Sequence, residues 1–292
     1  EILRCLVGSE MCIRDRLYKI VEFVCSNGKN IICVEEEYLD QIEKICKRYN
    51  VKLLQCNYET IEIPEKKWNY DSEIIGIDIP VVAVMGIGQN VQKFDLQLYL
   101  RSRFIDKGYK VSQIGTKKIS GLFGLHPLPD FLFNTQYSDV DKVYAFNRVM
   151  KDVSMQEKPD VILLGIPDSL LPLNNKHRFS FGLYAYEIFN AVQPDFVITS
   201  LMANDGYNDE FYSEISKMAK YKYNVNIDAY FVSQFCPLSN SIWSEKLSYV
   251  YLSRMELPKT EYKVYTTSDL NNDILFKQAE KKLLLYGKYE QY

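Results

Sequence analysis

Gly86, Gly88, Gln89, Asn90 and Lys93 stand close together in the run Met85-Gly86-Ile87-Gly88-Gln89-Asn90-Val91-Gln92-Lys93. Two glycines, two side-chain amides and a lysine in that spacing are groups that can hold a phosphate. Glycine lets the main chain approach an anion and turn its amides inward, and lysine adds a full positive charge. The setting suits the chemistry. Val81-Val82-Ala83-Val84-Met85 reads as a buried strand, and Phe94 to Phe104 has helical periodicity, so a helix N-terminus adds its partial positive charge at the same place.

Neither named phosphate motif is complete. A P-loop of the form G-x-x-x-x-G-K-[ST] needs glycine before the lysine and a hydroxyl after it, where this chain has Gln92 and Phe94. The dinucleotide fingerprint G-x-G-x-x-G begins with Gly86 and Gly88, but Val91 stands where its third glycine packs helix on strand. Without the hydroxyl the usual Mg²⁺ ligand is missing, and Asp95 would repel a triphosphate. Two readings stay open: a retained site for phosphate, ATP or GTP, and a plain strand-to-helix turn with Lys93 solvated.

A second loop is expected to face this turn. Val161-Ile162-Leu163-Leu164-Gly165 reads as another buried strand, followed by Ile166-Pro167-Asp168-Ser169 and, further on, Lys176-His177. In open parallel sheets, ligands lie outside the C-terminal strand ends, which brings both loops to one side. Asp168 is the candidate carboxylate for a metal, although such a residue normally ends its strand directly and here Gly165-Ile166-Pro167 intervenes. A third stretch, Gly121-Leu122-Phe123-Gly124-Leu125-His126-Pro127-Leu128-Pro129-Asp130-Phe131, is too apolar for an ordinary loop and is broken by two prolines. It reads as a lid or as a patch for a partner. Phe123, Leu125 and Phe131 are then the anchors for a polypeptide, with His126 and His177 at the rim; a packed loop histidine is the other reading of His126.

The elements that position these residues are expected to form an α/β fold. The sheet is mostly parallel in three layers, P-loop-NTPase-like with a degenerate P-loop, and occupies residues 81–292. Asp139 to Val153, Phe181 to Val192, Asp209 to Tyr223 (capped by Asn208) and Asp269 to Tyr286 read as helices. Phe196 to Leu201 and Ile227 to Ser233 read as strands, Tyr249 to Met255 alternates like one, and Glu261 to Thr266 is expected to pair antiparallel. Residues 17–60 carry a strand-helix-strand pattern, read as the remnant of an N-terminal α/β domain whose first strands lie upstream. Residues 61–80, with Pro64 and Glu65-Lys66-Lys67, read as a linker. Residues 1–16, containing Cys5-Leu6-Val7-Gly8-Ser9-Glu10-Met11-Cys12-Ile13-Arg14-Asp15-Arg16, read as translated sequencing-adapter sequence outside the fold.

Composition bounds the function. With 292 residues, 47% hydrophobic and 25% charged, the chain can bury a full core. A net charge of -3, with basic residues dispersed along helices, argues against a nucleic-acid surface. No apolar run approaches the roughly 18 residues of a membrane span. Of seven cysteines, two lie in the adapter-like leader. Cys25, Cys33, Cys46, Cys56 and Cys236 remain, without a C-x-x-C pair, which predicts reduced thiols and a cytoplasmic protein.

The run from Met85 to Leu98 resembles the "G-x-G-x-N-x-x-K-F-x-x-Q-L" stretch of a clostridial peptide maturation system family. So do Gly108 to Gly115, the Gly121 to Phe131 loop, Glu157-Lys158-Pro159-Asp160 with its strand, and Phe181-Gly182-Leu183-Tyr184-Ala185-Tyr186-Glu187. The resemblance is collinear from about Leu17 to the C-terminus. It implies an accessory protein of radical-SAM cassettes that mature a ribosomally made, bacteriocin-like peptide, with the precursor peptide and the maturase as partners. It also implies that phenylalanine after the lysine belongs to the group. Two function classes follow. One is an accessory factor that binds peptide or nucleotide without fast hydrolysis, which the lost glycine and hydroxyl favour; the other is an active NTPase or ATP-dependent ligase acting on the peptide.

Overall fold

The computed structural model describes residues 10–33, 38–55, 73–253, 255 and 257–285. The chain divides into two compact units, residues 1–59 with 121–123, and residues 60–120 with 124–292. In the first, α1 (Glu10–Ser26), β1 (Ile31–Cys33), α2 (Leu39–Arg48) and β2 (Leu53–Gln55) form a strand-helix-strand unit preceded by a helix. The two strands are parallel, and Val21, Cys25, Cys33, Ile42, Ile45 and Cys46 make the core. Cys25 and Cys46 face each other as free thiols with sulfurs 3.8 Å apart, and burial together with that contact pushes the Cys46 thiol up to about 11. Residues 1–9 of the adapter-like leader, Cys56 and most of the expected linker lie outside the described residues, and residues 10–16 form the first turns of α1.

The second unit is a seven-stranded, wholly parallel sheet. Its strands are β3 (Val81–Ile87), β4 (Val111–Gly115), β5 (His126–Pro127), β6 (Val161–Gly165), β7 (Phe196–Leu201), β8 (Ala229–Val232) and β11 (Val264–Tyr265), in the order β11-β8-β7-β3-β6-β4-β5. The strands β4, β6, β7 and β8 are buried at every residue, and β3 at all but its last, because helices cover both faces; β3, β6 and β8 accordingly read as near-continuous apolar runs, while β4 and β7 bury Ser112, Gln113, Thr199 and Ser200 as well. From β3 the chain moves one way to β4, then back through β6 and β7 to β8. Right-handed crossovers therefore put α3 (Lys93–Asp106) on one face, and α4 (Asp139–Glu157), α5 (Leu183–Ala191) and α6 (Asp209–Tyr223) on the other. The short α7 (Thr267–Asn271) and then α8 (Ile274–Leu283) follow β11, and α8 buries Leu275, Phe276 and Ala279 in the same cluster as Leu96, Leu100 and Phe104 of α3. Helix starts follow their caps: the Asn208 side chain accepts the Phe211 amide at 2.9 Å, and Ser138 accepts that of Asp141 at 3.2 Å.

The structure corrects three expectations. The Glu261 to Thr266 stretch joins the sheet parallel to β8, not antiparallel. The antiparallel pair is instead β9 (Phe235–Pro237) with β10 (Tyr249–Tyr251). The C-terminal helix breaks at Asp273, which takes a φ of 56° while its carboxylate pairs with the Arg103 guanidinium, 2.7 Å from Nε, and accepts the Tyr99 hydroxyl at 3.2 Å. Finally, the Gly121 to Phe131 stretch contributes to the fold: β5 extends the sheet beside β4, and Leu125, Leu128 and Phe131 are buried.

Candidate functional site

The glycine turn lies between the C-terminal end of β3 and α3, at the centre of the sheet. Its bend requires glycine at two positions. Gly88 has a φ of 103°, and a Cβ there would sit 2.8 Å from the Met202 side chain; a Cβ on Gly86 would meet Val91 at 2.7 Å and the Ser200 carbonyl at 3.1 Å. Asn90 and Gln92 also take left-handed φ values of 54° and 57°, so the tip is tightly wound, with Gln89 and Asn90 exposed. Ser200 of β7 donates to the Val91 carbonyl, and Gln92 Oε1 accepts the Gln234 amide at 2.8 Å, so neighbouring segments brace the turn from outside.

The groups that could hold an anion are engaged from within the chain. Gly88 N–H donates to Ser169 Oγ at 2.7 Å, Leu170 N–H donates to the Gly86 carbonyl at 3.0 Å, and the Lys93 ammonium donates to the Asp168 carbonyl. The loop after β6 thus closes on the turn, as the parallel-sheet rule predicts. Burial lowers the Lys93 ammonium to about 8 against the opposing pull of the Asp168 carboxylate. That carboxylate points elsewhere: Asp168 Oδ2 accepts the Ser180 amide at 2.7 Å, with Asp168 itself at a φ of 56°. The residues do not fit a Mg²⁺ ion here, because Phe94 offers no hydroxyl and the Asp168 carboxylate is committed to the main chain. Beside Lys93 a cleft of about 290 Å³ opens over the start of α3, lined by Asn90, Asp95, Thr116, Lys117, Phe235 and Tyr249 among others. Lys117 holds its ammonium 5.3 Å from the Phe94 ring centre.

The other predicted site residues divide. Leu125 and Phe131, expected as anchors on a surface, are 5% and 3% exposed, so they face the core and cannot meet a ligand as placed; Phe123 is 57% exposed. His126 Nε2 lies 2.5 Å from Glu157 Oε1, and the other oxygen of that carboxylate takes the Ser112 hydroxyl. The imidazole therefore leans toward the N-terminal half of β4, away from the glycine turn. These bonds hold the Glu157 carboxyl below its usual range although burial acts in the opposite sense. His177 shares the loop of Asp168 and stacks near Phe179, and its amide donates to Asn174 Oδ1 at 2.8 Å. Sequence reasoning missed Ser169, Ser200 and Gln234, which close and brace the turn. Ser169 was findable as the hydroxyl beside Asp168; nothing local marks the other two.

No protein-family model and no curated protein matches the chain. Among solved structures it is similar to a DUF1611-family protein from Anabaena variabilis, at 13% identity and a TM-score of 0.46 over 75% of this chain and 63% of that one. It thus spans somewhat under two thirds of that protein's length. It is also similar to chloroplast FtsY from Physcomitrella patens (12% identity, TM-score 0.33, 78% of this chain and 68% of that one) and to a GTPase from Pyrococcus abyssi (13%, 0.31, 55% and 68%). At these scores the likeness carries no function. The α/β fold rests on the strand order and the two helical layers described above. Among the described residues no helix is long and apolar enough to cross a membrane.

Proposed function

We propose that this chain is an accessory protein in the maturation of a ribosomally synthesised, bacteriocin-like peptide. It acts in the cytoplasm with the precursor peptide and a radical-SAM maturase as partners, and its degenerate phosphate turn binds ATP or GTP weakly without fast hydrolysis. What supports the pathway is the collinear sequence resemblance from Leu17 onward. What supports the mechanism is one observation: the Lys93 ammonium is held by the Asp168 carbonyl while the Gly88 amide is held by Ser169. An incoming phosphate has to displace both contacts, so the apparent affinity falls by the fraction of molecules in which the loop is open. With no hydroxyl after Lys93 and the Asp168 carboxylate on Ser180, the turn lacks the usual Mg²⁺ ligands for phosphoryl transfer.

Calorimetric titration with ATP, GTP and the precursor peptide encoded beside the gene, together with a hydrolysis assay, tests this reading. The expected result is peptide binding, weak nucleotide binding and turnover well below the ordinary enzyme range of about 1 per second and above. Mg²⁺-dependent turnover within that range, lost in Lys93→Ala, would overturn it in favour of an NTPase or ligase.

A further inference from the structure

A second cleft lies at the same end of the sheet as the glycine turn but is built by other residues. It encloses about 630 Å³ between Leu173 of the loop after β6, Met202 to Tyr207 after β7, and Cys236, Ile242, Leu252 and Met255 of the β9–β10 region. Its size is that of an ordinary ligand site. Hydrogen bonds hold two of its walls together: Asn174 Nδ2 donates to the Ile242 carbonyl at 2.9 Å and Lys176 Nζ to the Trp243 carbonyl at 3.1 Å. A third wall is fixed where the Ala203 amide donates to the Phe235 carbonyl at 2.8 Å.

Three features decide what fits. The lining is mainly apolar and rich in sulfur, from Met202, Cys236 and Met255, with the Tyr207 ring among them. Among the described lining residues the one with a formal charge is Asp205, exposed at the rim, which favours a cation or N–H donor beside it. The apolar surface also continues past the cleft. Trp243 is 71% and Tyr251 58% exposed, and β10, paired among the described residues only with β9, runs directly into Leu252 of the lining. A strand edge leading into an apolar pocket suits an extended polypeptide: main-chain bonds along the edge give affinity, and the pocket selects a side chain.

We propose that this cleft, and not the Gly121 to Phe131 stretch, is the peptide-docking site, taking an extended segment with an aromatic or large aliphatic side chain inside and a basic residue beside it against Asp205. The inference deepens the peptide-handling reading above and rests on it.

A fluorescein-labelled ten-residue probe with one Phe next to one Lys in a Ser/Thr background tests the site by anisotropy, with alkylation of the Cys236 thiol followed by mass spectrometry. The expected result is saturable binding that slows Cys236 alkylation. Affinity should fall at least tenfold when the probe's Phe becomes Ser, in Asp205→Lys, and in Ser239→Trp, an exposed position from which a ring blocks the cleft. Binding that leaves Cys236 unprotected, or survives Ser239→Trp with the fold intact by circular dichroism, overturns the site. The precursor peptide run alongside separates the two ideas. If it binds with Cys236 unprotected, the cleft is wrong and the accessory reading stands; if it fails to bind while the probe protects Cys236, the accessory reading falls and the cleft stands.

Discussion

The Lys93 ammonium donates to the main-chain carbonyl of Asp168, while the Asp168 carboxylate turns the other way and accepts the Ser180 amide at 2.7 Å. One residue, itself in the left-handed region with a φ of 56°, therefore ties the glycine turn to the loop that leads into α5. Phe179 and Phe181 flank Ser180 with φ values of 52° and 55°, so the segment held by that carboxylate carries strain on both sides of the contact. An anion that takes Lys93 from Asp168 acts on this loop as well as on the turn.

The need for glycine at the turn separates into backbone conformation and space. Gly88 and Gly124 both have positive φ, 103° and 67°, but a Cβ on Gly88 meets Met202 at 2.8 Å whereas nothing lies within 4 Å of one on Gly124. Gly124→Ala should lose about 1 kcal/mol from the backbone alone, and Gly88→Ala a further 1–3 kcal/mol from overpacking. Urea denaturation of the two variants checks the ordering, and equal losses would mean that Met202 moves aside freely.

Behind the sheet, Lys142 and Glu187 form an ion pair at 3.3 Å with side chains 8% and 4% exposed. Burial raises the Glu187 carboxyl above its usual range, with the Lys142 charge pulling it back. Lys142→Met leaves a buried, unpaired carboxylate and should destabilise by about 3–5 kcal/mol, whereas Lys142→Met combined with Glu187→Leu should recover most of that. A double-mutant cycle gives the answer directly; a double variant no more stable than the single one would show that the pair is needed for packing at α4 and α5.

The Asp168 charge and its shape can be taken apart. Asn tolerates the left-handed backbone and still offers an oxygen to Ser180, so Asp168→Asn should cost little stability, about 1 kcal/mol, while Asp168→Ala loses the acceptor and about 1–3 kcal/mol. Both remove the carboxylate that supports the Lys93 ammonium, so Lys93 should titrate lower than in the wild type. Lysine Nζ resonances followed against pH report this, and an unchanged Lys93 midpoint would show that burial alone sets it.

Much of this architecture is legible in the sequence because buried parallel strands are written as largely apolar runs. Val161 to Gly165 and Phe196 to Leu201 occupy the expected positions residue for residue, and α6 begins behind the expected Asn208 cap. The convergence of the glycine turn with the Asp168 loop followed from topology. What was not legible depends on partners remote in sequence. The Gly88 to Ser169 bond spans 81 residues and that of Gln92 with Gln234 spans 142, so no local pattern announces either. Leu125 and Phe131 looked like surface anchors because prolines interrupt their stretch, yet a proline-broken segment can still turn its apolar side chains inward when it adds an edge strand. Asp273 reads as an ordinary helical residue until Arg103 and Tyr99 supply the reason for the break.

The last prediction follows from the lowered Lys93 ammonium. Folding moves this group from its ordinary value of 10.5 to about 8, because burial disfavours the charged form. Below pH 8 both folded and unfolded chains hold the proton and the full penalty of burying the charge is present. Between pH 8 and 10.5 only the unfolded chain holds it, so stability from this group rises with pH and levels off above 10.5. Lys93→Met has no such proton to lose. The difference in unfolding free energy, wild type minus Lys93→Met, should therefore increase from pH 8 to 10.5, by at most about 3 kcal/mol and by less to the extent that water reaches the ammonium. Over the same window Lys93 loses its charge, so binding of a phosphate probe at the turn should weaken as pH rises through 8. Denaturant midpoints at several pH values, paired with pyrophosphate titrations, measure both trends. A flat stability difference with unchanged anion binding would mean that Lys93 keeps its proton throughout and lies in contact with solvent.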